Sequence, residues 1–258
     1  MTAKGPNSVD TAIRKAWEWA GVPFRRYVAH RIAQEAESSR DLEAWVRFVF
    51  DFRVVLGVRP FRFHFALSPY QRPSEILSLL RMVAAERPRR ILEVGSAGGG
   101  TLFLFARAAA SDAVLIGMDL PSMPAWRKRL YERAFGHPPQ RVQIMLGDSH
   151  EEATAARVRR NLEGQTLDFL FIDADHSYEG VRRDFELYSP LVHAGGLIAF
   201  HDILPGSCAC HGVRPGAASG GVPRFWAELK QRYEREHRAL EIIEDPTQDG
   251  FGIGVLRP

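Results

Sequence analysis

The chain has 258 residues, 45% hydrophobic and 25% charged, with a net charge of +3 and a pI near 9.0. These are ordinary values for a soluble globular protein, and the length suits one large α/β domain with an addition. No apolar run approaches the ~20 residues of a membrane span and no charged-then-apolar signal opens the chain, so a cytoplasmic protein is expected. Only four of the 34 basic residues are lysines. The arginines are scattered among acids, which reads as solvated basic surface and not as a nucleic-acid track.

Residues 1–8 read as a disordered start. Ala12, Ile13, Ala16, Trp17 and Ala20 follow helical spacing. Gly21-Val22-Pro23 is expected to break that helix. A second helix is expected from Phe24 to Glu37, and a third from Asp41, a good N-cap, to Phe52. Phe61-Arg62-Phe63-His64-Phe65 alternates as a short strand or lid segment would. Residues 1–70 therefore read as a helical cap outside the main sheet, which either covers the substrate or only pads the core. Their apolar helices are a candidate homodimer surface, and their Trp and Phe residues read as packing.

From residue 71 to 258 strand and helix signals alternate. Pro73 starts a helix. Strands are expected at 90–94, 114–118, 142–146, 167–172 and 196–200, with helices at 126–135, 151–162 and 178–191 between them. That order predicts a parallel sheet with helices on both faces. A helix at 223–235 and strands at 240–243 and 251–256 follow. The turn between those last strands is too short for a parallel crossover, so the final strand must run antiparallel to its predecessor.

The first strand of this series runs into Glu93-Val94-Gly95-Ser96-Ala97-Gly98-Gly99-Gly100-Thr101. Such a turn at the carboxyl end of a parallel strand is where α/β sheets bind small ligands. Gly95 and Gly100 fit the outer positions of a dinucleotide-binding Gly-x-Gly-x-x-Gly, but Ala97 fills the middle one. Glu93 suits a cationic ligand better than a phosphate. Later strands end in Asp119, Asp148, Asp173 and His201-Asp202, and strand carboxyl ends share one sheet edge, so these groups should converge. Asp119, 19 residues past Gly100, stands where an acid accepts from both ribose hydroxyls, for NAD and for S-adenosylmethionine (SAM) alike. Asp148 also reads as a cap for the helix after it.

The run Glu93-x-Gly95-x-x-Gly98-Gly99-Gly100 resembles motif I of the class I SAM-dependent methyltransferases. With Leu167 to Tyr178 and Gly195 to Asp202, the chain looks like their small-molecule O-methyltransferase branch. That branch includes metal-dependent catechol and caffeoyl-CoA types, antibiotic-sugar enzymes and cephalosporin-hydroxylase relatives. The resemblance covers residues 68–258. It implies a Rossmann-like methyltransferase fold with an antiparallel last strand. It implies SAM held by Glu93, Gly95, Ser96, Gly98, Gly100, Thr101, Asp119, Asp148, Ser149 and Asp173, and a methyl acceptor that is a hydroxyl of a sugar or secondary metabolite. It also implies a divalent metal, Mg²⁺ or Mn²⁺, on Asp173, His201 and Asp202. His201 departs from the family's carboxylate, which weakens the case for oxygen-loving Mg²⁺. His176, three residues after Asp173, resembles a general base in the sugar-modifying relatives, and His201 is a second catalytic candidate.

Three rival readings remain at this level. A nucleic-acid methyltransferase would show Asn/Asp-Pro-Pro-aromatic where this chain has Asp173-Ala174-Asp175-His176. A non-catalytic SAM-binding protein would not need the polar strand ends. A NAD-dependent oxidoreductase fits Ala97 and Glu93 poorly. Cys208-Ala209-Cys210-His211 reads as a loop over the pocket, since the spacing suits neither a structural disulfide nor a zinc site. His64, His150 and His193 read as surface or packing residues.

Overall fold

The computed structural model describes residues 8–37, 41–57, 62–206, 220–233 and 238–258. The Cys208–His211 segment lies outside the described residues. Helices α1 (Ser8–Glu37) and α2 (Leu42–Asp51) come first, then a hairpin of β1 (Arg53–Leu56) and β2 (Phe63–Ala66). There follow α3 (Pro73–Glu86), β3 (Arg90–Val94), α4 (Gly100–Ala108), β4 (Val114–Asp119), α5 (Ala125–Ala134) and β5 (Arg141–Leu146). The chain continues through α6 (Glu152–Asn161), β6 (Leu167–Ile172), α7 (Tyr178–Tyr188), β7 (Val192–His201), α8 (Val222–Tyr233), β8 (Ala239–Ile242) and β9 (Ile253–Leu256).

The main sheet has seven strands in the order β5-β4-β3-β6-β7-β9-β8. β3 through β7 pair in parallel, and β9 runs antiparallel between β7 and β8. The expected antiparallel final strand is therefore present. Strand alternation distributes the core over two faces. Ile91, Leu115, Phe169, Phe171 and Leu197 face α1 to α5. Leu92, Ile116, Leu170, Ile198 and Phe200 face α6 to α8.

Three local readings change. The chain stays helical through Gly21-Val22-Pro23, giving one α1 with Pro23 inside it. A proline removes one helical hydrogen bond, but Phe24, Val28 and Ile32 after it form a buried stripe that packs the helix beyond it. The N-terminal region is not wholly helical, because β1 pairs with β2 in a separate two-stranded sheet. The helix after β6 stops at Tyr188 and passes into a single 3₁₀ turn, Ser189–Leu191, around Pro190. Asp41 does cap α2, accepting from the Ala44 N–H at 2.7 Å.

Aromatic rings fasten the N-terminal region to the sheet. Trp45 meets Phe103 edge-on at 5.6 Å, and Phe65 meets Trp126 at 5.8 Å. On the far side, the buried Glu75 of α3 accepts from the backbone N–H groups of Glu244 and Gly252 and from Gln248 Nε2, tying α3 to the β8–β9 connection.

The glycine turn is shaped by close approaches. Gly95 has φ +95°, and a Cβ on it would lie 2.0 Å from the Asp173 carbonyl oxygen. A Cβ on Gly100 would lie 2.1 Å from the Leu67 carbonyl oxygen, whereas one on Gly98 would meet nothing nearer than 3.6 Å. Gly100→Ala is expected to lose about 2–3 kcal/mol of stability through forced backbone displacement. Gly98→Ala should be neutral or gain a few tenths. Urea unfolding midpoints of both variants check this, and equal effects would show that the turn is not held by Leu67.

Glu93 lies inside β3 with no exposed surface and accepts from the Thr101 hydroxyl, joining the strand to α4. Burial pushes its carboxyl up to about 8. Its folded value exceeds its unfolded value, so its contribution to stability is complete below about pH 4.5 and is lost as pH rises toward 8. Glu93→Gln removes that loss. Unfolding free energies across this window should diverge in favour of the variant, at up to ~1.4 kcal/mol per pH unit. Parallel stability curves would exclude a neutral Glu93.

Candidate active site

Parallel pairing brings the ends of β3, β4, β5, β6 and β7 to one edge, and two adjoining cavities open there. A lateral cavity of about 420 Å³ is lined by Asp119, Asp148, Ser149, His150 and Asp175. A central cavity of about 530 Å³ is lined by Ser96, Gly98, Gly100, Thr101, His176, His201 and Asp202. Gly95 and Asp173 line both. The expected convergence is present, divided between two chambers with a common wall. Glu93 faces neither chamber; it lies beneath the turn.

In the lateral cavity, Asp119 Oδ1 accepts from the Leu120 N–H at 2.6 Å. Asp148 does not cap α6, which takes Glu151 at its N-cap; its Oδ1 accepts from the His150 N–H at 2.9 Å. Its carboxylate can therefore serve a ligand as well as the turn. His150, read from sequence as surface or packing, lines this cavity. Its ring lies 3.7 Å from Asp148 Oδ1, and its Nε2 lies 3.7 Å from Asp184 Oδ1. Asp184 is fully buried, and that burial raises its pKa. No spacing rule links residues 150 and 184; only the packing of α7 beside the β5–α6 turn does.

The central cavity holds the densest chemistry. His201 Nδ1 lies 3.4 Å from both Asp173 Oδ1 and Asp202 Oδ2. His176 bridges the same carboxylates, with Nε2 3.6 Å from Asp173 Oδ1 and Nδ1 3.5 Å from Asp202 Oδ2. Burial opposes charge on His201, but Asp173 and Asp202 outweigh it and push the imidazole up to about 10. Burial likewise opposes ionisation of Asp173, and the two imidazoles overcome it, holding the carboxyl well below the usual range. Asp202 sits at φ +60° directly after β7, a left-handed conformation that non-glycine residues seldom adopt.

Local structure sets His176 apart from the helix behind it. Ser177 is the N-cap of α7, accepting from the Gly180 N–H at 3.0 Å, so His176 has no capping duty. Its own carbonyl accepts from the Gly221 N–H at 2.6 Å, which pins it to the start of α8. Sequence reasoning missed Gln71, whose Nε2 donates to Asp173 Oδ2 at 3.3 Å. Ser68, Pro69 and Tyr70 complete that wall. The stretch has no periodicity, and only its place just before Pro73 could have pointed to it.

Asp173, His201 and Asp202 each offer a ligand atom, all within 4.8 Å of one another. His201 Nε2 is buried without a hydrogen-bond partner among the described residues. Two carboxylates with an imidazole fit a divalent transition metal better than Mg²⁺.

Residues 92–203 match a family model described as a methyltransferase domain. An uncharacterized protein of Sinorhizobium fredii is 28% identical over 183 residues, covering 67% of this chain and 18% of its own length. The chain thus spans less than a fifth of that relative. The O-methyltransferase of Bacillus cereus, solved with S-adenosylhomocysteine (SAH), superposes with a TM-score of 0.51 at 23% identity, over 73% of this chain and 84% of its own. The O-methyltransferase TomG of Streptomyces achromogenes, solved with SAM, gives 0.51 at 19% identity, over 86% and 92%. Residues 92–203 thus resemble a methyltransferase domain, and the chain shares the fold of these O-methyltransferases.

Proposed function

We propose that this protein transfers a methyl group from SAM to a hydroxyl of a small molecule. The observation that carries the reading is the shared wall. Gly95 and Asp173 line both a chamber with the carboxylates a nucleoside needs and a chamber with two imidazoles between two carboxylates. Asp119, Asp148 and Ser149 would hold the adenosine portion, and the Gly95–Thr101 turn the remainder of SAM. No helix among the described residues is long and apolar enough to cross a membrane.

SAM supplies a methyl group activated by its sulfonium. A divalent cation on Asp173, His201 and Asp202, Mn²⁺ in preference to Mg²⁺, would lower the pKa of a hydroxyl beside it. The protein's own part is positioning and proton transfer. His176 is the proposed base: one ring nitrogen takes the acceptor's proton while the carboxylate beside the other ring nitrogen holds the imidazole in place. Gln71 fixes the Asp173 carboxylate from the opposite side.

Isothermal titration should show SAH binding to the wild-type chain. Asp119→Ala should bind it roughly 10- to 100-fold more weakly, because up to two hydrogen bonds to a charged acceptor are lost. Absence of SAH binding to wild type would overturn the donor assignment.

Methyl transfer from labelled SAM to a panel of sugars, catechols and phenols, with Mn²⁺ or EDTA, addresses the acceptor side. His176→Ala should lower kcat by roughly 100-fold or more and leave the Kd for SAH within about twofold. Full turnover in that variant would remove His176 as the base, and full turnover in EDTA would remove the metal.

A further inference from the structure

Methyl transfer does not account for the outer face of the β1–β2 hairpin. Alternation turns Val54 and Phe65 into the core and places Arg53, His64 and Ala66 on the other side. That side encloses a third cavity, of about 620 Å³, against the glycine turn and the β4–α5 connection. Arg53, His64 and Arg127 stand in its walls, and Asp119 is the one acid among its lining residues.

The cations are placed and left uncompensated. The Arg127 guanidinium carbon lies 5.6 Å from the Phe65 ring centroid and 5.8 Å from that of Trp126. Arg25 approaches the same indole at 5.7 Å. Aromatic faces orient a guanidinium without neutralising it. Among the described residues, neither Arg53 nor Arg127 forms an ion pair with a carboxylate. Arg25, Arg26, Arg129 and Arg133 line a neighbouring groove between α1 and α5, and their charges raise the positive potential over this whole side.

The donor does not explain such a chamber. SAM carries two positive charges and one negative, and is repelled on balance by two arginines with a histidine beside them. Space for it already exists in the other two cavities. The third cavity adjoins the central one through Ser68, Tyr70, Ala97 and Gly98. A molecule whose hydroxyl reaches His176 therefore has its remainder beside a cationic room.

We infer that the Arg53–His64–Arg127 chamber binds a phosphate or carboxylate group of the methyl acceptor, so that the substrate is an anionic small molecule. The inference rests on the methyl-transfer reading. A guanidinium fork engages either anion in bidentate fashion, and the distance between anion and hydroxyl would then select substrates by length.

Isothermal titration of the full chain with inorganic pyrophosphate, and separately with SAH, tests this. Pyrophosphate should bind wild type, with and without saturating SAH, with Kd values within threefold. The double variant Arg53→Gln/Arg127→Gln should weaken pyrophosphate at least tenfold, keep the thermal midpoint and leave the Kd for SAH within twofold. Arg129→Gln/Arg133→Gln, outside the chamber, should change pyrophosphate binding less than threefold. Absent binding, or equal binding to the double variant, would overturn the site. Competition between SAH and pyrophosphate, or loss of SAH affinity in the double variant, would assign the cations to the donor's own carboxylate and overturn the acceptor assignment. A wild-type chain that binds pyrophosphate but not SAH would overturn the donor reading, and with it the attribution of the anion to an acceptor.

Discussion

The backbone leaving β3 passes the backbone leaving β6 with no room for a side chain, and the ligand edge depends on that contact. The carbonyl of Asp173 occupies the place where a Cβ of residue 95 would be, 2.0 Å from its ideal position. Hydrogen bonds lock the crossing: the Asp173 N–H donates to the Val94 carbonyl at 2.9 Å, and the Gly95 N–H donates to the Met118 carbonyl at 3.0 Å. Three central strands are thereby held in step at their carboxyl ends. Any side chain at 95 would push Asp173 outward and carry His176 with it. A missing Cβ thus sets the separation between groups suited to a donor and groups suited to an acceptor, and methyl transfer depends steeply on that separation.

The electrostatics of the edge follow from where each acid sits relative to water. Glu93 is buried in mid-strand, and the Ser96 and Thr101 hydroxyls beside it do not offset that burial, which favours its neutral form. Asp173 is partly exposed and has two imidazoles against it, which hold its carboxyl below the usual range. The cluster of Asp173, Asp202, His176 and His201 is self-compensating: each carboxylate faces two rings and each ring faces two carboxylates. The chamber beyond Tyr70 lacks this compensation, having cations and almost no acids. The edge is therefore polarised, mixed in sign at one end and positive at the other.

Much of this was legible in the sequence because strands and their ends carry local signals. Every main-sheet strand is an apolar run, and Asp119, Asp148, Asp173 and Asp202, which close or follow four of the parallel strands, meet at the shared edge. What escaped depends on contacts between distant segments. Pro23 looks like a break because the local rule is strong, yet α1 runs through it, and the buried stripe from Phe24 to Ile32 packs the helix beyond it. β1 is a short Arg-Val-Val-Leu strand whose identity depends on pairing with β2. Gly98 and Gly100 stand in the same glycine run, and what separates them is chiefly the carbonyl of Leu67, 33 residues away in the chain, against Gly100. Gln71 and His150 stand on irregular segments where residue type alone says nothing about direction.

The N-terminal region then takes on a particular role. In the proposed reaction the sheet edge would serve any acceptor that can present a hydroxyl, and discrimination would come from what surrounds it. Here the hairpin is joined to the glycine turn through Leu67 against Gly100, and to α5 through Phe65 against Trp126. It is further tied to α2, where the Leu67 N–H donates to the Phe52 carbonyl at 3.3 Å. The hairpin is thus fastened at three points, and on the proposed reading it would present its cations at a set distance from His176. If the proposed anion site holds, selection by such a wall would work through fixed geometry and charge.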